Sequence, residues 1–148
     1  MARNATKTAA QYTGRKAGQG SKWIRKDKRL AIYLRDDCTC TYCGRAVLPQ
    51  ADATLDHVLA CELGGTNHES NLVTACLSCN SAKGAMPMKR WIAHLKTNNV
   101  DTDAIPARIR KLTKRSLRAY RADAKARIAD AGGYTAAVEA MWAEAASR

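Results

Sequence analysis

LDHVLACELGGTNHESNLVTACLSCNSAKG, Leu55 to Gly84, is the stretch that decides how this chain is read. Two short runs rich in β-formers, ATLDHVLA and NLVTA, flank the polar, glycine-led loop GGTNHES, which predicts a hairpin with a long loop. A helical stretch is expected to begin at Asn80–Gly84 and to resume after Pro87 through MKRWIAHLKTN. Inside this strand–loop–strand–helix order stand a bare Asp56-His57 pair, three asparagines and a Cys-x-x-Cys. The span is a zinc module with incidental polar residues, or an active site built on one.

The cysteine pattern bears on that choice. Cys76 and Cys79 have a counterpart in Cys40 and Cys43, and four thiolates on two such pairs suit one tetrahedral zinc ion. A two-residue gap lets one tight turn aim both sulfurs at the ion, and Gly44 in CTYCG can take the positive φ such a turn needs. The 32 residues between the pairs exceed the usual zinc-ribbon gap of roughly 15–20, so the hairpin is an insert held by the zinc frame. Disulfides or redox chemistry are the competing readings. Cys38 and Cys61 lie outside the pairing and read as small buried thiols.

The chain is one domain long at 148 residues. Its formal charge of +12, from 25 Lys+Arg against 13 Asp+Glu, predicts affinity for a polyanion, with nucleic acid ahead of an anionic membrane surface. Residues 1–35 carry a net +9, residues 36–102 a net −2 and residues 103–148 a net +5. A slightly acidic middle between basic flanks suits a cation site that also receives a phosphate backbone. No apolar run approaches the ~20 residues of a membrane span, and the N-terminus has no signal-like apolar core. A cytoplasmic location is the expectation, with no membrane partner.

The organisation expected is a disordered basic arm over 1–20, a zinc-framed domain over 21–100 and a basic helical extension over 101–148. Lys28 to Arg35 suits a short helix with Asp27 as N-cap. From Asp103 to Asp130 a long helix is predicted, with Ile105, Ile109, Leu112, Tyr120 and Ile128 on one stripe and Gly132-Gly133 closing it. Thr135 is a candidate cap for a last short helix. Around the stripe stand Arg108, Arg110, Lys111, Lys114, Arg115, Arg118 and Arg121, read as contacts to the DNA backbone rather than as a merely solvated face. The stripe is too thin and Ala-rich for a membrane-surface helix.

CTYCG, LDHV, GGTNHESNLV and ACLSCNSAKG, nested in this order within about residues 28–96, resemble the HNH endonuclease family. The resemblance implies a ββα-metal (His-Me finger) core in which a hairpin and a helix grip one divalent cation. It implies His57 as the general base that activates water and Asp56 as a ligand of the catalytic metal. Asn71 corresponds to the asparagine that orients the histidine loop. Asn80 stands where many members have a second histidine, which makes this the His-Asn-Asn form, with Asn80 as a metal ligand. Chemistry points the same way. A neutral imidazole takes a proton from water near pH 7, and one hard cation offsets charge growing on a phosphodiester. Oxygen donors such as Asp56 and Asn80 suit Mg²⁺ or Mn²⁺, distinct from the structural zinc.

Two neighbours in a regular strand face opposite sides, so Asp56 and His57 serve one phosphate only if the strand ends, bulges or twists there. Lys83 is read as a phosphate contact or a solvated lysine, His68 as an exposed polar residue, Asn67 as a turn residue and His94 as helix packing. The activity expected is metal-dependent DNA hydrolysis, leaving 5′-phosphate and 3′-hydroxyl ends as the resemblance implies. Free-standing relatives of this kind occur in bacteria and phages, in genome packaging, restriction or mobile-element spread. A catalytically silent zinc DNA-binding protein, or an accessory subunit of a packaging motor, is the alternative.

Overall fold

The computed structural model describes residues 24–147; the basic arm expected over 1–20 lies outside them. Helix α1 (Lys26–Arg35) leads into the turn carrying Cys40 and Cys43. Strands β1 (Ala53–His57) and β2 (Leu72–Cys76) pair antiparallel in register, Ala53 with Cys76 and His57 with Leu72. Helix α2 (Leu77–Lys83) follows β2 without a loop, and α3 (Met88–Thr97) starts after Pro87. Then come α4 (Ile105–Lys114), α5 (Arg118–Ala131) and α6 (Tyr134–Ala146). The α+β class and the small sheet agree with the sequence reading. No helix among the described residues is long and apolar enough to cross a membrane.

Local chemistry explains several boundaries. Asp27 is not the N-cap of α1, which is Arg25; it sits inside the first turn, where a carboxylate favours the helix dipole, and it accepts from Arg121 at 2.8 Å. Helix α2 is capped by Cys76, whose Sγ accepts from the Cys79 amide at 3.3 Å. Gly132, at φ 87°, closes α5 in the left-handed conformation that glycine adopts without strain. Helix α6 starts at Tyr134 from Gly133, so Thr135 falls inside its first turn and not at the cap.

The long helix predicted over 103–130 is broken. Arg115 is extended (φ −73°, ψ 127°), and the Ser116 hydroxyl accepts from the Arg118 amide as the chain restarts in α5. The physical reason is that the stripe serves two cores. Ile105 and Ile109 pack with Tyr42, Val73, Trp91 and Leu95 on one side of the sheet. Leu117 and Ala124 pack with Leu30, Tyr33, Leu55 and Met141 on the other. A straight helix cannot reach both, so burial of Leu117 and Ala124 outweighs the broken hydrogen bonds.

Strand β2 is buried along its whole length because it lies between these cores. A buried ion pair ties α1 to it: Arg35 Nε lies 2.6 Å from Asp36 Oδ1, with both side chains fully enclosed. Arg35 also donates to the carbonyls of Leu72 (2.6 Å) and Glu69 (3.0 Å), while Asp36 accepts from the Thr74 amide at 2.8 Å. Every strong donor and acceptor of the pair thus meets a partner, as burial of two charges requires.

Candidate active site and cysteine cluster

Cys40, Cys43, Cys76 and Cys79 come together as predicted. Their Sγ atoms all lie within 4.8 Å of one another, with Cys43 and Cys76 at 3.9 Å. A tetrahedral site with Zn–S bonds of ~2.3 Å has edges of about 3.8 Å, so the thiols suit one ion with small adjustment. The Cys43 amide points at Cys40 Sγ (3.5 Å) as the Cys79 amide points at Cys76 Sγ, and Gly44 adopts φ 79°. None of the six cysteines is in a disulfide. A hydrogen bond from Cys79 holds the Cys40 thiol down at about 4 and pushes Cys79 well above the ordinary thiol range. Cys38 and Cys61 are half-buried, less enclosed than the sequence reading had them.

Asp56 and His57 diverge. The β-register runs without a bulge through His57, where the strand ends, so the two side chains point to different sides. Asp56 turns toward α2. Its carboxylate accepts from the Tyr42 hydroxyl and pairs with Lys83 Nζ at 3.2 Å, and the residue is only 4% exposed. Burial pushes its carboxyl above the ordinary value, against the opposing pull of Lys83 and the Tyr42 hydrogen bond.

That shift makes a stability prediction with a definite sign. A carboxyl whose folded-state pKa is raised stabilises the fold fully below its unfolded value near 3.8, and the contribution is lost as pH rises through the folded value. Denaturant unfolding across pH 3 to 8 should therefore show wild type losing stability relative to Asp56→Asn as pH rises from the low end. A difference that grows with pH instead would mean that Lys83 and Tyr42, not burial, set this carboxyl.

His57 turns toward the long loop. Its Nε2 lies 2.8 Å from Asn67 Oδ1 and 3.4 Å from Cys61 Sγ. Asn71, at the end of a short 3₁₀ turn (Glu69–Asn71), staples that loop. Its amide oxygen accepts from the Leu59 amide (2.8 Å), and its nitrogen donates to the carbonyls of Leu59 (3.0 Å) and Thr66 (2.9 Å). Gly65 makes the crossing possible, since a Cβ there would sit 1.7 Å from the Leu59 carbonyl oxygen. From outside, Lys28 Nζ donates to the Asn67 carbonyl at 2.9 Å, and Arg35 to that of Glu69. Helix α1 thereby holds the loop segment that faces His57.

Asn80 lies on α2 against β1. Its Nδ2 donates to Thr54 Oγ1 (2.9 Å) and to the Leu55 carbonyl (3.3 Å), which commits the amide nitrogen to the strand and turns Oδ1 away from it. Lys83, one turn later, is corrected from a phosphate contact to an internal cation. It is 1% exposed and donates to the His57 carbonyl at 2.8 Å besides pairing with Asp56. The strand face explains the move, because Asp56 is buried there and needs a counter-charge.

The basic residues of the tail divide. Arg110, Lys111, Lys114 and Arg118 are exposed. Arg108, Arg115 and Arg121 are half-buried and engaged within the fold: Arg108 with the Thr41 carbonyl (2.6 Å), Arg115 with that of Arg35 (3.4 Å) and Arg121 with Asp27. These three are structural ties in addition to whatever they meet outside. His68 is exposed and caps the 3₁₀ turn, its Nδ1 accepting from the Ser70 amide at 3.1 Å. His94 stacks on Trp91 at 5.5 Å, a packing role as expected.

Four contributors escaped the sequence reading: Tyr42, Asn67, Lys28 and Arg35. Tyr42 lies between two zinc-type cysteines, where nothing in its spacing points to Asp56. Asn67 reads from sequence as a turn residue, and Lys28 and Arg35 precede the four segments that carry the resemblance, the first of which starts at Cys40.

A family profile described as HNH endonuclease matches residues 40–86, from the first cysteine of the cluster to just beyond α2. The CRISPR-associated endonuclease Cas9 of Corynebacterium diphtheriae is 30% identical over 83 residues, 55% of this chain but 8% of that protein. The Type II-C Cas9 enzyme from Actinomyces naeslundii superimposes with a TM-score of 0.49 and 25% identity, over 81% of this chain and 13% of that one. The chain thus spans a small fraction of the length of either relative. The profile match across residues 40–86 falls on the two-stranded, helix-backed unit, and it is this segment that is similar to HNH endonucleases.

Proposed function

We propose that this protein is a metal-dependent endonuclease that hydrolyses DNA phosphodiester bonds, with His57 as the general base. The observation that carries the proposal is the loop built around that residue. His57 Nε2 meets Asn67 Oδ1 at 2.8 Å, and the loop bearing Asn67 is stapled by three hydrogen bonds of Asn71. With Nε2–H donating to Asn67 Oδ1, the ring is held in one orientation and Nδ1 is the nitrogen that receives a proton, which is what a general base needs before any substrate arrives.

Asp56 and Asn80 are the candidate ligands of a divalent cation. The donor types suit Mg²⁺, which ordinarily takes one or two protein carboxylates and keeps waters or substrate phosphates for the rest. Asp56, however, is buried against Tyr42 and Lys83 on the other side of β1 from His57, so that pairing has to open before cation and base can serve one phosphate. When bound, such a cation supplies charge stabilisation to the phosphodiester as it is cleaved. Lys83 neutralises Asp56 from within the fold and competes with the cation for it. His57 removes a proton from the attacking water, and Asn71 keeps the loop from drifting. Zinc is the proposed occupant of the four-cysteine cluster, where it anchors both ends of the hairpin. Exposed basic residues of α4 and α5 supply contacts to the phosphate backbone.

The Asp56–Lys83 pair also favours a second reading, a zinc-framed DNA-binding module in which that pair is purely structural. Supercoiled plasmid incubated with the protein and Mg²⁺ or Mn²⁺ separates the two. Conversion to nicked or linear product that stops on addition of EDTA is expected. DNA left intact by folded, zinc-loaded protein across a panel of divalent cations would favour the binding module.

A further inference from the structure

We propose that the elbow between α4 and α5 forms a docking cleft for a single nucleic-acid strand, which runs from there to His57. The cleft has a volume of 580 Å³. One wall carries Lys114, Arg115, Arg118, Arg121 and Lys125; the facing wall is the turn of His68, Glu69 and Ser70. Glu69, the one acid in the lining, is already paired with Lys28 at 3.5 Å, and Arg121 with Asp27. Lys114, Arg118 and Lys125 have no carboxylate partner among the described residues and are exposed. Uncompensated like charges on a concave wall focus a positive potential into the cleft, so its ligand is an anion.

The spread of the charges says which anion. Arg118 and Lys125 are seven residues apart on α5, about 10 Å along the axis at 1.5 Å per residue. One phosphate cannot meet both, whereas successive phosphates of a strand can. At 580 Å³ the cleft is within the usual size range of ligand sites, roughly 300–1,000 Å³. The cleft is open to solvent on one side, and a single strand can lay successive phosphates along its basic wall with its bases toward the His68–Ser70 turn. Position ties the cleft to the nuclease site. His68 on the cleft wall directly follows Asn67, which touches His57 Nε2, and Ser70 directly precedes Asn71. A strand in the cleft lies on the outer side of the turn whose inner side faces the proposed base.

This continuity rests on the nuclease reading, but binding can be measured apart from it. Fluorescence anisotropy with a labelled oligo-dT in EDTA gives affinity without cleavage, across a salt series. For Lys114→Gln/Arg118→Gln, loss of two phosphate contacts is expected to flatten the slope of log K against log salt by about 1.4 and to weaken binding of the order of tenfold at 0.1 M salt. A control pair, Lys89→Gln/Arg90→Gln, removes the same charge from the exposed side of α3 and should change binding far less. Equal losses in both pairs, or none in the first, would overturn the cleft. An equal loss on a duplex of the same length would overturn the single-strand assignment. Should plasmid cleavage prove absent while the oligonucleotide result holds, the nuclease reading falls and the cleft stands.

Discussion

If zinc occupies the four-cysteine cluster as proposed, Cys76→Ser is expected to lose it and to abolish cooperative unfolding of the hairpin region. Cys76 does three things at once. It ends β2 opposite Ala53, it caps α2 by accepting from the Cys79 amide, and its sulfur lies 3.9 Å from that of Cys43. It is also 1% exposed, so a serine hydroxyl there meets neither water nor a willing metal. Structural zinc contributes about 10–16 kcal/mol of apparent binding free energy in small modules. A domain of this size is stable by only about 5–15 kcal/mol, so loss of the ion exceeds the margin. Native mass spectrometry should find one zinc in wild type and none in the variant, and thermal unfolding by circular dichroism should lose its transition. Cys61→Ser, outside the cluster, should keep the zinc. Wild type that binds no metal, or a Cys76→Ser protein that melts within a few degrees of it, would remove the zinc frame from the account.

His57→Ala is expected to lower plasmid cleavage by about 10²–10⁴-fold, the usual contribution of a general base, which corresponds to about 3–5 kcal/mol of barrier. The substitution also empties a buried position and breaks the contact with Asn67, so alanine alone confounds chemistry with loop disorder. His57→Gln resolves this, because its amide can hold Asn67 but cannot take up a proton at neutral pH. Both variants should keep their zinc and bind DNA within a few-fold of wild type while losing comparable activity. Activity retained in the glutamine variant would make His57 a positioning residue and place the base elsewhere. Cleavage at wild-type rate in both would exclude it from the reaction.

Much of the site was legible because its logic is local. Cys-x-x-Cys pairs announce themselves by a spacing that a single turn imposes, and alternation of β-formers around a glycine-led loop predicts a hairpin. Asn71 makes three hydrogen bonds across the loop, to the Leu59 amide and to the carbonyls of Leu59 and Thr66. Lys83 was misjudged because exposure is decided by what lies across the helix. In an isolated α2 it is an ordinary surface lysine, and only the neighbouring strand supplies the buried carboxylate that draws it in. The C-terminal helix was misjudged for a similar reason. Its apolar stripe is continuous in sequence, yet its two halves belong to different cores.

By itself, then, the sequence determined the composition of the candidate site: the four clustering cysteines, the Asp–His pair, the loop asparagine and the basic flanks. These depend on residue type and short spacing, which a linear chain carries in full. The tertiary structure alone decided that Asp56 and His57 face opposite sides of β1, that α1 braces the loop through Lys28 and Arg35, and that the tail bends into a cationic cleft beside that loop. Those features arise where segments tens of residues apart bury their apolar faces together. The partner that a buried charge finds there is set by the packing, and no local pattern encodes it.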